Sequence, residues 1–175
     1  LLMFRPADAM ETAECWQLAL ESKDAPSGIA LTRQNLPAVR TKYTEKNLCA
    51  TGAYDLIPAN DAEVTIFAAG SEVGLAVEAQ KTLDGKGIST RVVSVPCMEL
   101  FFEQPEDYQK AIIGNSPIKV GVEAGVRMGW DQFIGSDGIF IGMTGYGASG
   151  KGEALFEHFG ITADAVVKAV EKKRA

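Results

Sequence analysis

The chain has 175 residues, 46% of them hydrophobic and 23% charged, an ordinary globular balance on a length that holds one full domain and part of another. Its net charge of -6 and isoelectric point of about 4.9 argue against nucleic acid as a partner, because a phosphate backbone needs a clustered basic face. No apolar run approaches the length of a membrane span, and Leu1-Leu2-Met3-Phe4 meets Arg5-Pro6 too soon for a signal-peptide core.

The chain does not open on a methionine and is read as a piece whose upstream sequence is missing. Asp8 is placed to cap a helix from Ala9, with Glu11 completing a capping box. Ala9, Ala13, Trp16 and Leu20 recur at helical spacing and form one apolar stripe. A strand over Gly28 to Thr32 follows the turn Pro26-Ser27-Gly28. Residues 40–51 are polar and aperiodic, which predicts a linker between a segment 1–39 and a domain 52–175.

The domain alternates. Val64 to Ala69 is a short, partly β-branched strand ending at Gly70. A helix starts at Ser71, its N-cap, with Val73, Ala76, Ala79 and Leu83 on one face, Glu72, Glu78 and Lys81 turned away, and Gly85 and Gly87 as its stop. Strands are expected at Thr90 to Val95, Ile118 to Val122 and Ile139 to Met143. Helices are expected at Glu106 to Ile113, Glu153 to Phe159 and Thr162 to Lys172, the last closed by Lys172, Lys173 and Arg174 at its negative end. Alternating strands and helices predict an α/β fold, a three-layer sandwich around a mostly parallel sheet. A helix–strand remnant of another α/β domain precedes it.

Residues 145–152, Gly-Tyr-Gly-Ala-Ser-Gly-Lys-Gly, fit G-x-G-x-x-G and most of a P-loop. Gly152 lacks the hydroxyl that would ligate magnesium, and too little chain follows for a Walker-type Asp. A glycine-rich turn with close backbone approach or positive φ is the preferred reading. Ser71 is read as a cap rather than an anion site. The lone His158, beside Phe156 and Phe159, is assigned to packing. Glu123, ending an apolar strand, needs a buried partner. Cys15, Cys49 and Cys97 contain no C-x-x-C and are expected as reduced thiols of a cytoplasmic protein. Arg33, in Leu31-Thr32-Arg33-Gln34-Asn35-Leu36-Pro37, lies beyond the carboxyl end of a strand, where open α/β sheets bind ligands. Its guanidinium suits a phosphate or carboxylate, and a surface ion pair is the alternative.

Taken together, several segments resemble the transketolase family: Phe4-Arg5-Pro6-Ala7-Asp8-Ala9-Met10-Glu11, Leu31 to Pro37, Gly70-Ser71-Glu72-Val73, Val93-Ser94-Val95-Pro96, Phe102-Glu103-Gln104, Val122-Glu123-Ala124-Gly125 with Gly129-Trp130, and Phe159-Gly160-Ile161-Thr162. They cover the whole chain in order. One departure is Tyr146-Gly147-Ala148-Ser149-Gly150-Lys151, where the family commonly has F-G-x-S-A-P. The resemblance implies the tail of a pyrimidine-binding domain followed by a transketolase C-terminal domain. It implies a transferase of carbohydrate metabolism and the pentose phosphate pathway. Such an enzyme moves a two-carbon ketol unit between sugar phosphates with thiamine diphosphate and magnesium, as a cytoplasmic homodimer. Arg33 would bind the substrate phosphate. No catalytic, cofactor or metal residue carries over, since the family's motifs for these lie upstream of residue 1, and the piece alone is expected to be inactive. Rival readings are a deoxyxylulose-phosphate synthase, a dihydroxyacetone synthase, or a non-catalytic α/β interaction or nucleotide-binding module.

Overall fold

The computed structural model describes residues 1–175. At the N-terminus, β1 (Leu2–Phe4) and β2 (Ser27–Ile29) pair in parallel on either side of α1 (Ala9–Glu21). β1 has too few residues for alternation to show in the sequence. The strand expected over Gly28 to Thr32 ends at Ile29, although the Ala30 amide still donates to the Phe4 carbonyl at 2.9 Å. Asp8 caps α1 as expected, accepting from the Glu11 amide at 2.9 Å. Glu11 does not return the bond to Asp8; its Oε2 accepts from the Ala7 amide, one residue upstream, at 2.7 Å.

The apolar stripe of α1 faces outward, with Trp16 49% and Leu20 78% exposed. The inward face carries Glu11, Glu14 and Cys15. Its two carboxylates are satisfied by hydrogen bonds to residues 40, 49, 54 and 94, so the polar face is the buried one. Nor do residues 40–51 hang free. Leu48–Thr51 form a 3-10 turn, Cys49 is fully buried, and the Asn47 side chain donates to the Glu14 carbonyl at 3.1 Å. Gly52 closes the turn at φ 75°, and an ideal Cβ on it would lie 2.2 Å from the Phe101 amide nitrogen.

The main sheet contains β3 (Tyr54–Ile57), β4 (Val64–Ala68), β5 (Thr90–Ser94), β6 (Ile118–Glu123) and β7 (Ile139–Gly142), in the order β3-β5-β4-β6-β7. Its four long-range pairings are parallel except β3 with β5, which is antiparallel and irregular in register. Central β4 and β5 are buried throughout, as strands covered by helices on both faces should be, and they bury Thr65, Thr90, Arg91 and Ser94 along with their apolar residues. One layer contains α2 (Glu72–Gly85), α6 (Gly152–His158) and α7 (Ala163–Arg174), whose Val73, Ala76, Leu83, Val166 and Val170 pack on Val64, Ile66, Val92 and Val120. The other contains α3 (Met98–Phe102), α4 (Glu106–Ile113) and α5 (Asp131–Ile134), where Phe101, Trp130 and Phe133 cover Phe67 and Val93. Helices α3 and α5 are one turn each and carry no periodic signal. The three layers and mostly parallel sheet agree with the sequence expectation.

Two details of α2 differ from it. Ser71 makes no cap; its hydroxyl donates instead to Glu72 Oε1 at 3.1 Å. Glu72, expected to point outward, is buried. The stop is as anticipated: Gly87 takes φ 77° and the Ile88 amide returns to the Leu83 carbonyl at 3.0 Å.

Candidate functional site

In this sheet the connection after β4 runs to one side and that after β6 to the other. The crevice between their carboxyl ends is the place where open α/β sheets usually take ligands. Here the chain fills it with its own Arg5. The Gly70 amide, just after β4, donates to the Arg5 carbonyl at 2.9 Å. The Arg5 guanidinium pairs with Glu123 Oε1 at the end of β6, and Trp130 Nε1 donates to Glu123 Oε2. Glu123 thus has the buried partners that its position demanded. Burial lowers the guanidinium's pKa, with Glu72 and Glu99 opposing the shift. Burial likewise raises the Glu72 carboxyl, against hydrogen bonds from the Ser71 hydroxyl and from its own and the Ala124 amides. The crevice is therefore a clasp between the N-terminal segment and the sheet.

A second clasp lies beside it. Glu11 Oε1 accepts from Tyr54 Oη at 2.7 Å and from Ser94 Oγ at 2.6 Å, while its Oε2 holds the Ala7 amide. Burial raises this carboxyl above the ordinary range although all three donors favour its charged form. A third joins Glu14 to Arg40, whose two terminal nitrogens bind the two carboxylate oxygens; Arg40 Nη1 to Glu14 Oε2 is 2.8 Å. Burial alone would raise Glu14, but Arg40 and the Cys49 amide outweigh it and hold the carboxyl below the usual range. The same carboxylate holds Arg40 above its ordinary value.

These clasps frame the segment that carries Arg33. Beyond β2 the chain leaves regular structure at Ala30, runs out through Arg33 and returns at Val39. On the outgoing side the base is the Ala30 bond to Phe4. On the return side Asp8 Oδ2 accepts from both the Val39 and Arg40 amides at 3.1 Å. Within the turn the Gln34 amide donates to Thr32 Oγ1 at 3.2 Å. Arg33 is exposed and makes no ion pair and no side-chain hydrogen bond, so the surface-pair alternative is not what the structure has. Two cavities flank the loop. One of about 510 Å³ lies against the start of α1, lined by Asp8, Thr12, Thr32 and Asn35. The other, of about 540 Å³, lies between the loop and α2, α6 and α7. Arg33 lines neither; it stands at the rim between neighbours that do.

The remaining sequence candidates are not brought to this loop as chemistry. His158 ends α6, exposed, with its ring edge-on to Phe159 at 4.8 Å. Gly145 and Gly147 have open space where a Cβ would stand and take no positive φ, so neither close approach nor strain explains them. Gly152 differs, because the flexible Gln34 amide lies where its Cβ would be. Cys15, Cys49 and Cys97 are free, buried thiols. No helix is long and apolar enough to cross a membrane. The clasps themselves were missed in the sequence, apart from Glu123 and the capping role of Asp8.

A family model described as the Transketolase-like TK C-terminal domain matches residues 52–162. A transketolase of Cereibacter sphaeroides is 48% identical over 173 residues, which cover 99% of this chain and 26% of that protein. A crystal structure of the Pichia stipitis transketolase in complex with sedoheptulose-7-phosphate superposes with a TM-score of 0.88 at 36% identity, covering 98% of this chain and 25% of that one. A split-gene transketolase described as an inactive β4 tetramer gives a TM-score of 0.78 at 26% identity, covering 98% of this chain and 57% of that one. The chain thus spans about a quarter of the length of the full-length relatives it matches.

Proposed function

The chain belongs to the transketolase family, and from that premise we propose that it forms the C-terminal part of an enzyme that moves a two-carbon ketol unit from a ketose phosphate to an aldose phosphate. In that enzyme Arg33 anchors the substrate phosphate. The observation that carries this reading is an exposed, unpaired guanidinium on a loop whose base is bonded to β1 and α1. A planar fork of donors with no protein partner is preorganised for a tetrahedral anion. The Pichia relative, crystallised with a sugar phosphate, supports that class of ligand.

No three His, Cys, Asp or Glu side chains converge as metal ligands. Magnesium and thiamine diphosphate are assigned to other parts of the enzyme, because the transketolase motifs that would hold them match no segment of this chain. Bound there, the cofactor supplies the carbon–carbon bond cleavage. The residues of this chain bind and orient. Residues 1–39 act as the tail of the pyrimidine-binding domain. Residues 52–175 act as the C-terminal domain, which adds to a homodimer interface; residues 40–51 join the two. The open edges of the β1–β2 pair and the outward stripe of α1 are surfaces for the rest of the enzyme to cover. Reduced, buried thiols fit a cytoplasmic enzyme of sugar-phosphate metabolism.

The test has two arms. The full-length protein containing this chain is assayed for ketol transfer from a ketose phosphate, and the isolated chain is titrated calorimetrically with thiamine diphosphate and magnesium. Transfer by the former and no binding by the latter is expected. A full-length protein without transferase activity sinks the reading.

A further inference from the structure

We propose that Asp8 is the residue that positions Arg33. The inference rests on the reading of Arg33 as the phosphate anchor and adds what holds that anchor in place. Asp8 is 5% exposed, and each of its carboxylate oxygens has a separate task. Oδ1 accepts from the Glu11 amide at 2.9 Å and starts α1. Oδ2 accepts from the Val39 and Arg40 amides, both at 3.1 Å, and pins the returning arm of the loop. Its carbonyl accepts from the Thr12 hydroxyl at 2.7 Å, so the residue is itself fixed to the helix.

The outgoing arm is already fixed by the Ala30 bond to Phe4. Between these two bases no hydrogen bond ties the loop to the rest of the molecule, although Gln34 lies against Gly152 and Pro37 near Gly74; the turn bond from Gln34 to Thr32 is internal to the loop. Arg33 makes no side-chain bond of its own. Its location therefore depends on the spacing of the two bases, and Asp8 sets one of them. Arg40 reinforces the same base through Glu14, but that pair acts on the side chain beyond the loop, whereas Asp8 holds the backbone where the loop closes. A carboxylate is required because a single side chain must accept from one amide of the helix and two of the loop. Serine offers one oxygen, enough for the helix and out of reach of the loop. Asparagine offers one acceptor and one donor, so either the helix or the loop faces an N–H with an N–H.

The experiment compares wild-type, Asp8→Ser, Asp8→Asn and Arg33→Ala in the full-length enzyme. Two readouts are taken: KM and kcat with a phosphorylated and an unphosphorylated ketol donor, and hydrogen–deuterium exchange over residues 30–40. Asp8→Ser keeps the helix cap, so its melting temperature serves as the folding control. Asp8→Asn is the second variant should it fail to fold. The proposal expects faster exchange at residues 39 and 40. It also expects KM for the phosphorylated donor to rise roughly ten- to hundredfold, as a misplacement on the scale of an ångström does, with KM for the unphosphorylated donor within about twofold. Unchanged exchange overturns it, because the tether would then carry no load. Faster exchange with equal losses on both donors, or with none, overturns it as well, because the loop base would then not govern Arg33. Arg33→Ala separates the two readings. If it discriminates between donors and the Asp8 variants do not, Asp8 fails alone; if Arg33→Ala itself does not discriminate, both readings fall.

Discussion

Glu11 joins three parts of the molecule that are far apart in sequence, and replacing it tests whether the N-terminal segment is held to the sheet by that carboxylate. In Glu11→Ala the Ala7 amide and the Tyr54 and Ser94 hydroxyls lose an acceptor that now lies 2.6–2.7 Å from each. A buried donor left unsatisfied costs about 1–3 kcal/mol. Three such donors, offset by the relief of a buried carboxyl, give a net loss of about 3 kcal/mol or more. For a chain of this size that lowers Tm by about 6–12 °C. Glu11→Gln keeps one oxygen for Tyr54 and Ser94 and sets an amide N–H against the Ala7 N–H, so it should lose about 1–3 kcal/mol. The pH dependence has a definite sign. The folded carboxyl is raised, so the native state holds its proton more tightly than the unfolded state does. The stability linked to that proton is fully present below the unfolded pKa and is lost as pH rises through the folded one. The wild-type advantage over Glu11→Gln should therefore be largest at the acidic end and shrink as pH rises. Urea titrations at a series of pH values, followed by calorimetry, measure this. A Glu11→Ala chain within 1 kcal/mol of wild type, or an advantage that grows with pH, would refute the reasoning.

Gly52→Ala should cost about 2–5 kcal/mol in urea denaturation, because it combines a left-handed φ with a Cβ placed on backbone atoms of residues 97 and 101 that cannot rotate away. Arg5→Ala leaves Glu123 without its cation, removes the positive charge that favours ionised Glu72, and should cost roughly 2–4 kcal/mol. Adding Glu123→Gln to Arg5→Ala should recover part of that loss, which a double-mutant cycle reads directly.

The layers of the main domain were readable because single elements carry their own pattern. Val73, Ala76, Ala79 and Leu83 repeat at helical spacing, and all four are fully buried. Gly87 marks the end of α2 by the conformation that only glycine takes easily. Helical period misled on α1, where Ala9, Ala13, Trp16 and Leu20 form a real stripe on the wrong side. The face that is buried is set by acceptors for distant donors: Tyr54 is 43 residues from Glu11 and Ser94 is 83. No local window contains both ends of such a contact. The same limit hid the Arg5–Glu123 clasp, although Glu123 stood out as a carboxylate ending an apolar strand. β1 and β3 escaped notice for a different reason: one has three residues and the other is an irregular, half-exposed edge. At the candidate site, the exposed loop and its lone guanidinium were readable from Thr32-Arg33-Gln34-Asn35, because turn chemistry after a strand is local. The tether at Asp8 was not, since its capping role at Glu11 gave no sign of the second oxygen's work at Val39 and Arg40.

Paired-donor kinetics on Arg33 variants of the full-length enzyme test most directly the proposal that Arg33 anchors the substrate phosphate. Each charge-assisted bond to a phosphate contributes about 1.5–3 kcal/mol, so losing one or two weakens binding roughly ten- to ten-thousandfold. Arg33→Ala should raise KM for phosphorylated substrates by that factor and leave hydroxypyruvate nearly untouched, with Arg33→Lys recovering only part because an ammonium keeps the charge without the planar fork. Equal loss of activity on phosphorylated and unphosphorylated donors would contradict the assignment.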